Sequence, residues 1–477
     1  MNPEKLALLT DLYEFTMANA FYQELPKEEG VFDIFFRNLP DNGSFVVLAG
    51  VKQAVEAVEK FHLSASELDY LRELDLFSEE FLAYLADFQN QCEVWTIEEG
   101  TPVFSGESVV TVQGPLIQAQ LYETMLLNLI NHQTLIASKA RRIVASAKGR
   151  AVMEFGARRA QGPDASIYGA RATIIGGAKL TSNLLAGKKF NIPVAGTMAH
   201  SWIESFPTEL AAFEAWARQN PHNCSLLVDT YDVLNSGIPN AIKVFEQLKA
   251  KGVDANIGIR IDSGDVTELT KKARKMLDQA GFTEAKITIS NALDEYIIES
   301  ILDEGAQVDN FGVGEKMITS STSPVLSGVY KLCAVKHEDG QVEPKIKVSA
   351  SKTKVTLPGI KQVYRLYNTS GQAIADVIAL RDEKLGHSLS VVKADPLATK
   401  KEHVLQDFIA KPLLRPVLRG TKRVEELEGD VFKIQANSQA ALKELPAETK
   451  RLMNPAIFPV YVTSKLNTLQ KEMLAKH

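Results

Sequence analysis

The sequence predicts an α/β protein built around parallel strands that close, or nearly close, into a barrel. Two observations lead there. From Arg150 onward, short apolar runs rich in Val and Ile alternate with helical stretches, the pattern of buried parallel strands joined by helices. Each run also ends in polar residues: GARRAQGPD after VMEF, Thr197 to His200 after IPVAG, DTYD after SLLV, RIDSGD after NIGI, SNALD after ITI, and GVGE after VDNF. Parallel strands put all six clusters on one face, and a barrel builds its active site at the C-terminal ends of its strands. A doubly wound open sheet also gathers residues at strand ends, but around one crevice. Six clusters carrying reactive side chains fit a closed or nearly closed barrel better.

The elements follow in order. VFDIFF (31–36) and FVVLAG (45–50) alternate as strands, and VKQAVEAVEKF (51–61) has helical periodicity, with two shorter helical stretches up to Asp87. CEVWTIEEG (92–100) and ESVVTVQG (107–114) read as a strand pair, with a turn at Gly100–Thr101–Pro102. A long helical pattern runs from about Pro115 to Ala147 and ends at Gly149. The regular region then supplies the strands RAVMEFG, IPVAGTM, CSLLVDT, NIGIRID, KITISN and VDNFGVG, separated by helices such as PNAIKVFEQLKAKG, DVTELTKKARKMLDQAG and ALDEYIIESILDEG. After about Tyr330 come strand-like pieces (GVYKLCAVK, KIKVSAS, QVYRLYN, AIADVIAL). A Lys- and Pro-rich tail follows and ends in a helix within YVTSKLNTLQKEML.

Composition narrows the function. With 477 residues the chain can bury a large core. A net charge of −6 gives no electrostatic reason to expect nucleic acid as a partner, so an anionic substrate must be held by a local cluster of donors. The start, MNPEKLALLTDLYEF, lacks the basic and long apolar stretches of a signal peptide, and no apolar run reaches the length of a membrane span. Cys92, Cys224 and Cys333 are odd in number and far apart. That argues against a disulfide framework and a cysteine zinc site, and it makes a cytoplasmic location the default expectation.

Four clusters carry chemistry. RIDSGD places Arg260, Asp262 and Asp265 around Ser263–Gly264, where a Gly turn exposes N–H groups, Arg offers a phosphate fork and carboxylates suit Mg²⁺ or ribose hydroxyls. The plainer reading makes Asp265 a helix cap. FGVGE (311–315) looks like a phosphate-binding loop or simply a tight turn, and Glu315 is an awkward neighbour for a phosphate. EFGARRA puts Arg158 and Arg159 just past a strand; adjacent arginines are usually solvated, or one pairs with a nearby acid, but at a strand end facing a pocket one of them can clamp an anion. Phe155 lines the same pocket or, as is commoner for phenylalanine, packs in the core. In LLVDTYDVLNSG the acids Asp229 and Asp232 are split, unlike the adjacent acids of the Rossmann-like phosphoribosyltransferase motif.

His200 stands alone. The eight histidines are His62, His132, His200, His222, His337, His387, His403 and His477, and no two are spaced for a helix-borne metal pair. A lone histidine is most often structural. Here Gly196, Thr197 and Ala199 leave room beside it, and Asp229 ends the next strand, placed to orient one ring nitrogen as a nucleophilic imidazole needs.

TDLYEFTM (10–17), FFRNLP (35–40), INHQT (130–134), EFGARRAQGPD (154–164), GTMAHSWI (196–203), VDTYD (228–232), RIDSGD (260–265) and ISNALDEY (289–296) occur in this order. Together they resemble the bacterial nicotinate phosphoribosyltransferase family over roughly residues 10–335. The resemblance implies an irregular α/β barrel of the type II phosphoribosyltransferase kind at 141–335. It also implies a second α/β sandwich domain made from 1–140 and 336–477. The implied reaction joins nicotinate to 5-phosphoribosyl 1-pyrophosphate, giving nicotinate mononucleotide and pyrophosphate for NAD salvage, with Mg²⁺ and with ATP hydrolysed through a phosphohistidine. His200 matches the phosphorylated histidine, and Asp229 would hold its imidazole in the reactive tautomer. Arg260 would bind phosphate or pyrophosphate, and Asp262 the ribose or metal. Gly312, Gly314 and Lys331 would hold the 5′-phosphate, and Tyr13 and Phe155 would sandwich the pyridine ring. The implied substrate-binding set also takes in Arg158, Thr197, Ser201, Ser263, Gly264, Asp265 and Asn291. Tyr13, Arg37 and Lys331 would come from the neighbouring subunit, which implies a homodimer with shared sites. The family loop more usually reads FGVGT, so Glu315 is a departure.

The related nicotinamide enzyme places an acidic side chain near the substrate amide. In this chain no Asp or Glu occurs from Ala165 to Ile203, while Arg171, Lys179, Lys188 and Lys189 do, so nothing in that stretch repels a carboxylate. The alternatives are a nicotinamide phosphoribosyltransferase, or an aldolase- or isomerase-like barrel using Asp229, Asp262 and His200 as acid and base.

Overall fold

The computed structural model describes residues 6–398 and 401–476. The chain forms two compact units: a central one, Ile136–Pro324, and a terminal one made from the chain up to Leu135 and from Val325 onward.

The central unit holds six parallel strands. Their order is Leu180–Thr181, Ala151–Glu154, Asn310–Val313, Lys286–Ile289, Asn256–Ile261 and Asn223–Leu227. The last strand in the chain lies beside the first, as in a sheet that curls round on itself. Beyond Leu180–Thr181 the sheet continues only as one bridge, from Thr181 to Val194. Among the described residues nothing pairs the Val194 segment with Asn223–Leu227, so the sheet is a half-barrel with one open seam. Branched and aromatic side chains such as Ile259, Ile261, Ile287, Ile289, Phe311 and Val313 are fully buried, because helices cover strands that leave no solvent face.

Several strand-end acids start the next helix. Asp232 accepts from the N–H groups of Leu234 and Asn235, Asp265 from Glu268, and Asp294 from Tyr296 and Ile297. A buried ion cluster supports this region. Glu295 Oε1 sits 2.8 Å from both Lys139 Nζ and Arg142 Nε, and Lys139 also donates to Thr322 Oγ1 at 2.8 Å.

The terminal unit interleaves the two ends of the chain. Its seven-stranded sheet runs Val342–Pro344, Gly328–Lys336, Glu29–Phe36, Val110–Pro115, Glu93–Thr96, Arg415–Arg419, Lys422–Arg423. A six-stranded sheet runs Glu402–Gln406, Ser388–Lys393, Val460–Thr463, Ala373–Leu380, Lys361–Tyr367, Ile409–Pro412. Buried charges are paired within it. Asp33 meets Lys361 Nζ at 2.9 Å and accepts from Ser108 and Thr111. Arg365 forks onto both oxygens of Asp376 at 2.9 and 2.7 Å. Burial and the neighbouring Asp376 push the Glu107 carboxyl well up, so it keeps its proton beside that pair. Among the described residues no helix is long and apolar enough to cross a membrane.

Four parts of the chain differ from the sequence expectation. IPVAGTM is not a strand: Pro193 and Gly196 interrupt it, Val194 is half exposed, and only the bridge at Val194 pairs. KIKVSAS is irregular, since Pro344 ends the preceding strand and Val348 points to solvent with no apolar face to join. The long helix is two, Leu116–Gln120 and Glu123–Ser146. The tail holds more strand than its Lys and Pro content suggests, because alternate positions such as Leu389 and Val391 are buried.

Glu295→Gln leaves Lys139 and Arg142 facing a neutral group inside the protein. The expected loss is about 3 kcal/mol of stability in the central unit. Denaturant unfolding followed by tryptophan fluorescence in a Trp95→Phe background checks it, because Trp202 and Trp216 then report that unit alone.

Candidate active site

The polar clusters meet at the strand ends of the central unit. Arg260, one residue before the end of Asn256–Ile261, is the hub. Its Nε donates to Ser290 Oγ at 2.8 Å, one Nη to Thr197 Oγ1 at 3.1 Å, and the other to Asp262 Oδ1 at 3.2 Å. Ser290 also donates a short hydrogen bond to Asp262 Oδ1. Asp229 Oδ2 accepts from the Asp262 N–H at 3.0 Å and from Ser263 Oγ at 2.6 Å, while Asp229 Oδ1 is buried without a partner. Burial pushes the Asp262 carboxyl up, but Ser290, Arg260 and His200 together outweigh it and hold the group below the usual carboxylate range.

His200 begins the short helix His200–Glu204, and its side chain is 40% exposed, open enough to receive a group. Nδ1 lies 3.1 Å from Thr230 Oγ1, and Nε2 faces Asp262 Oδ2 at 4.0 Å. A carboxylate on the Nε2 side favours the tautomer protonated there and leaves the Nδ1 lone pair to accept from Thr230. Asp229 therefore does not hold the imidazole, contrary to the sequence expectation. Its carboxylate instead accepts from the Asp262 N–H and from Ser263 Oγ, just before the turn at Gly264, where φ is +81°.

Phe155 lies against the GVG turn. A Cβ on Gly312 would stand 2.7 Å from the Phe155 ring, so only glycine lets the ring lie there. Phe155 also donates its N–H to Val313 O at 2.8 Å. Arg158 is exposed and has no ion pair or hydrogen bond among the described residues, whereas Arg159 pairs with Glu315 at 3.6 Å. Glu315 is thus turned to an arginine of the neighbouring strand end. Asn291 is exposed and holds a strained backbone, φ +111°. Ser201 is exposed on the His200 helix, and Asp265 is a helix cap. Glu154, just before Phe155, is buried and spends both oxygens on Gly156 N–H and Thr181 Oγ1. Of the cations between Ala165 and Ile203, Arg171 is buried over the Phe190 ring and Lys189 bonds Tyr168, while Lys179 and Lys188 are exposed.

The other candidates lie in the terminal unit. Lys331 Nζ is 3.4 Å from Glu123, and the same carboxylate bears on Tyr13, whose phenol is pushed up by burial and by Glu123 and Glu14. Arg37 keeps Nε and Nη2 buried with no hydrogen-bond partner. A buried guanidinium left without acceptors is costly and marks a place where an anion fits. Thr230, Ser290 and Glu123 were not singled out in the sequence. Thr230 lies inside the quoted VDTYD and Ser290 inside ISNALDEY, but a lone hydroxyl carries no pattern.

A half-barrel with reactive side chains gathered at its strand ends is the build of an α/β-barrel enzyme. Comparison with known proteins narrows the class. Three family models match: the nicotinate phosphoribosyltransferase (NAPRTase) N-terminal domain at residues 8–131, the nicotinate phosphoribosyltransferase (NAPRTase) family at 150–367, and the nicotinate phosphoribosyltransferase C-terminal domain at 360–470. The nicotinate phosphoribosyltransferase of Bacillus subtilis (strain 168) is 42% identical over 461 residues, covering 96% of this chain and 93% of its own. The Homo sapiens one is 30% identical over 526 residues, covering 98% and 96%. The crystal structure of human nicotinic acid phosphoribosyltransferase superposes with a TM-score of 0.86 at 29% identity, over 98% of this chain and 100% of that one. The chain belongs to the nicotinate phosphoribosyltransferase family.

Two outcomes test this geometry. In Ser290→Ala the Asp262 carboxyl rises, because a hydrogen bond to its charged form is gone. With its pKa depressed, Asp262 contributes stability above the ordinary carboxylate range and loses it as pH falls through the folded value. In the variant that loss begins at higher pH, which carboxyl ¹³C NMR and acid unfolding both read. Gly312→Ala should cost about 1–3 kcal/mol by overpacking the Phe155 ring, and much less in a Phe155→Ala background, a coupling read by a double-mutant cycle.

Proposed function

We propose that this protein joins nicotinate to 5-phosphoribosyl 1-pyrophosphate on an irregular barrel of the type II phosphoribosyltransferase kind, and that ATP drives the reaction through a phosphohistidine at His200. The observation that carries this reading is His200 itself, half open, with Nδ1 on a hydroxyl and Nε2 against a carboxylate. In a chain of this family, an imidazole so placed suits a nucleophile.

In the proposed cycle His200 Nδ1 attacks the γ-phosphorus of ATP, the bond to ADP breaks, and Asp262 steadies the proton on Nε2. The pyridine nitrogen of nicotinate attacks C1′ of the sugar while the bond from C1′ to pyrophosphate breaks. Charge builds on the departing pyrophosphate and on the sugar, and the protein's part is positioning and electrostatics. Arg260 presents a cation already oriented by Ser290 and Thr197. The backbone around Ser263–Gly264 and the GVG turn lies at strand ends, where phosphates would be held. Phe155 offers one face to the pyridine. Water then attacks the phosphohistidine phosphorus, releasing inorganic phosphate and neutral imidazole.

Mg²⁺ is implied by the family. Among the described residues no three His, Cys, Asp or Glu side chains cluster as a metal cage. One or two carboxylates with substrate phosphates are the usual magnesium set. The unpartnered Oδ1 of Asp229, with Asp262 beside it, fits that pattern. Bound there, the ion would neutralise charge on pyrophosphate. Arg37, with buried donors unused, supports a site completed by a second copy of the chain, with Tyr13 and Lys331 from the same side. The exposed Arg158 is the arginine assigned to the carboxylate of nicotinate. The proposed setting is NAD salvage in the cytosol.

The test is turnover of nicotinate and phosphoribosyl pyrophosphate with Mg²⁺, with and without ATP, following mononucleotide and ADP together. The expected result is mononucleotide formation driven by ATP, with ADP release lost in His200→Ala and nicotinamide a poor substrate. Product that is indifferent to ATP and to His200 would remove the phosphohistidine and leave the transfer. Absence of product from either base would remove the transfer.

A further inference from the structure

The terminal unit contains a cavity of about 580 Å³ that the reaction does not use. Its walls are mostly apolar: Val342, Pro344, Ile360, Leu380 and, from the C-terminal helix Ser464–Leu474, Leu469. The volume is in the usual range for a small-molecule pocket. Arg381 lines it. The guanidinium stacks 3.9 Å over the Trp95 ring, which fixes its plane. Of its five N–H donors, among the described residues only Nε is engaged, with Lys361 O at 3.3 Å, and Nη2 is buried with no partner. The indole Nε1 of Trp95 is also buried and unpartnered.

The charges around Arg381 are already spoken for. Asp33 pairs with Lys361 at 2.9 Å, Glu93 with Arg419 at 3.1 Å, and Asp382 with Lys465 at 3.6 Å. Among the described residues, Arg381 is the cation of this group without a counter-ion. Burial opposes its charge, and Asp33 and Glu93 from the seven-stranded sheet partly restore it. Leaving a buried arginine donor without an acceptor is costly.

We infer that this cavity is a second ligand site, and that it binds a short aliphatic or aromatic monocarboxylate, with the carboxylate on Arg381 and the apolar body among Ile360, Leu380 and Leu469. A single carboxylate charge matches the one guanidinium that lines the cavity among the described residues. A dianion such as phosphate matches it less well, because Arg381 is the single cation that lines the cavity among the described residues.

Isothermal titration of the full-length protein with hexanoate tests this, with inorganic phosphate as the contrasting anion. The expected result is saturable hexanoate binding that weakens by at least about tenfold in Arg381→Met, which keeps the stem and removes the charge. It should weaken likewise in Leu469→Trp, which fills the cavity from the opposite wall and leaves Arg381 intact. If one variant fails to fold, the other decides. No binding up to about 20 mM, well past the weakest useful affinity, overturns the site. So does binding that survives both substitutions, as it would at the catalytic centre. Arg381-dependent binding of phosphate tighter than that of hexanoate overturns the ligand class.

Discussion

The catalytic side of the central unit depends on one arginine. Arg260 reaches Ser290, Thr197 and Asp262 at once, and so ties together residues from two strand ends and from the segment that follows the Val194 bridge. Asp262 in turn faces His200, and its backbone is held by Asp229. Take away the guanidinium and Asp262 is left partly buried with Ser290 and the more distant His200, its charge less favoured, and the environment of His200 changes with it. The network is local and charge-assisted, which suits a site that must bind highly charged substrates without rearranging.

The strand ends also show how one cluster serves two purposes. In DTYD, Asp229 turns to the site while Asp232 starts the next helix; in RIDSGD, Asp262 turns to the site while Asp265 caps. Acids are favourable at helix N-termini for reasons of dipole and unsatisfied N–H groups alone. Their presence at strand ends is therefore partly bland chemistry, and only the first acid of each pair turns to the polar network around Arg260. The buried Lys139–Glu295–Arg142 group stands one turn further along, at the start of the helix after SNALD, and gives that side of the half-barrel a rigid base.

Much of this was legible in the sequence. The alternation of apolar runs and helices gave the parallel strands, because strands buried on both faces must be apolar along their whole length. The clusters after them could be read because a parallel sheet has one C-terminal edge. The failures have physical causes too. IPVAGTM has the composition of a strand but carries Pro193 and Gly196, and its pairing fails after one bridge. Adjacent strand ends suggest that Asp229 meets His200, whereas its carboxylate accepts from the Asp262 N–H and Ser263 Oγ, a side-chain direction that spacing cannot show. Thr230 and Ser290 escaped notice because a hydroxyl gains its role only from the acceptor folded against it. In the terminal unit, Asp33 and Lys361 are more than three hundred residues apart, and nothing local in either segment announces the pair.

Unsatisfied buried groups are the remaining guide to function. A folded protein leaves few of them, since each costs the desolvation it has not recovered. Here several lie where a ligand is otherwise argued for: Asp229 Oδ1 beside Asp262, and two nitrogens of Arg37, a residue the family resemblance marks for substrate. Arg381 has the same character in a place no motif marks. The contrast with Arg365 is instructive. Arg365 is more deeply buried, yet it forks onto Asp376 and donates to Pro102 O, so its polar groups are satisfied from within and it needs no ligand. Two buried arginines in neighbouring parts of one unit thus read differently, one as structure and one as a binding group. The difference lies in the acceptors around them and not in burial itself.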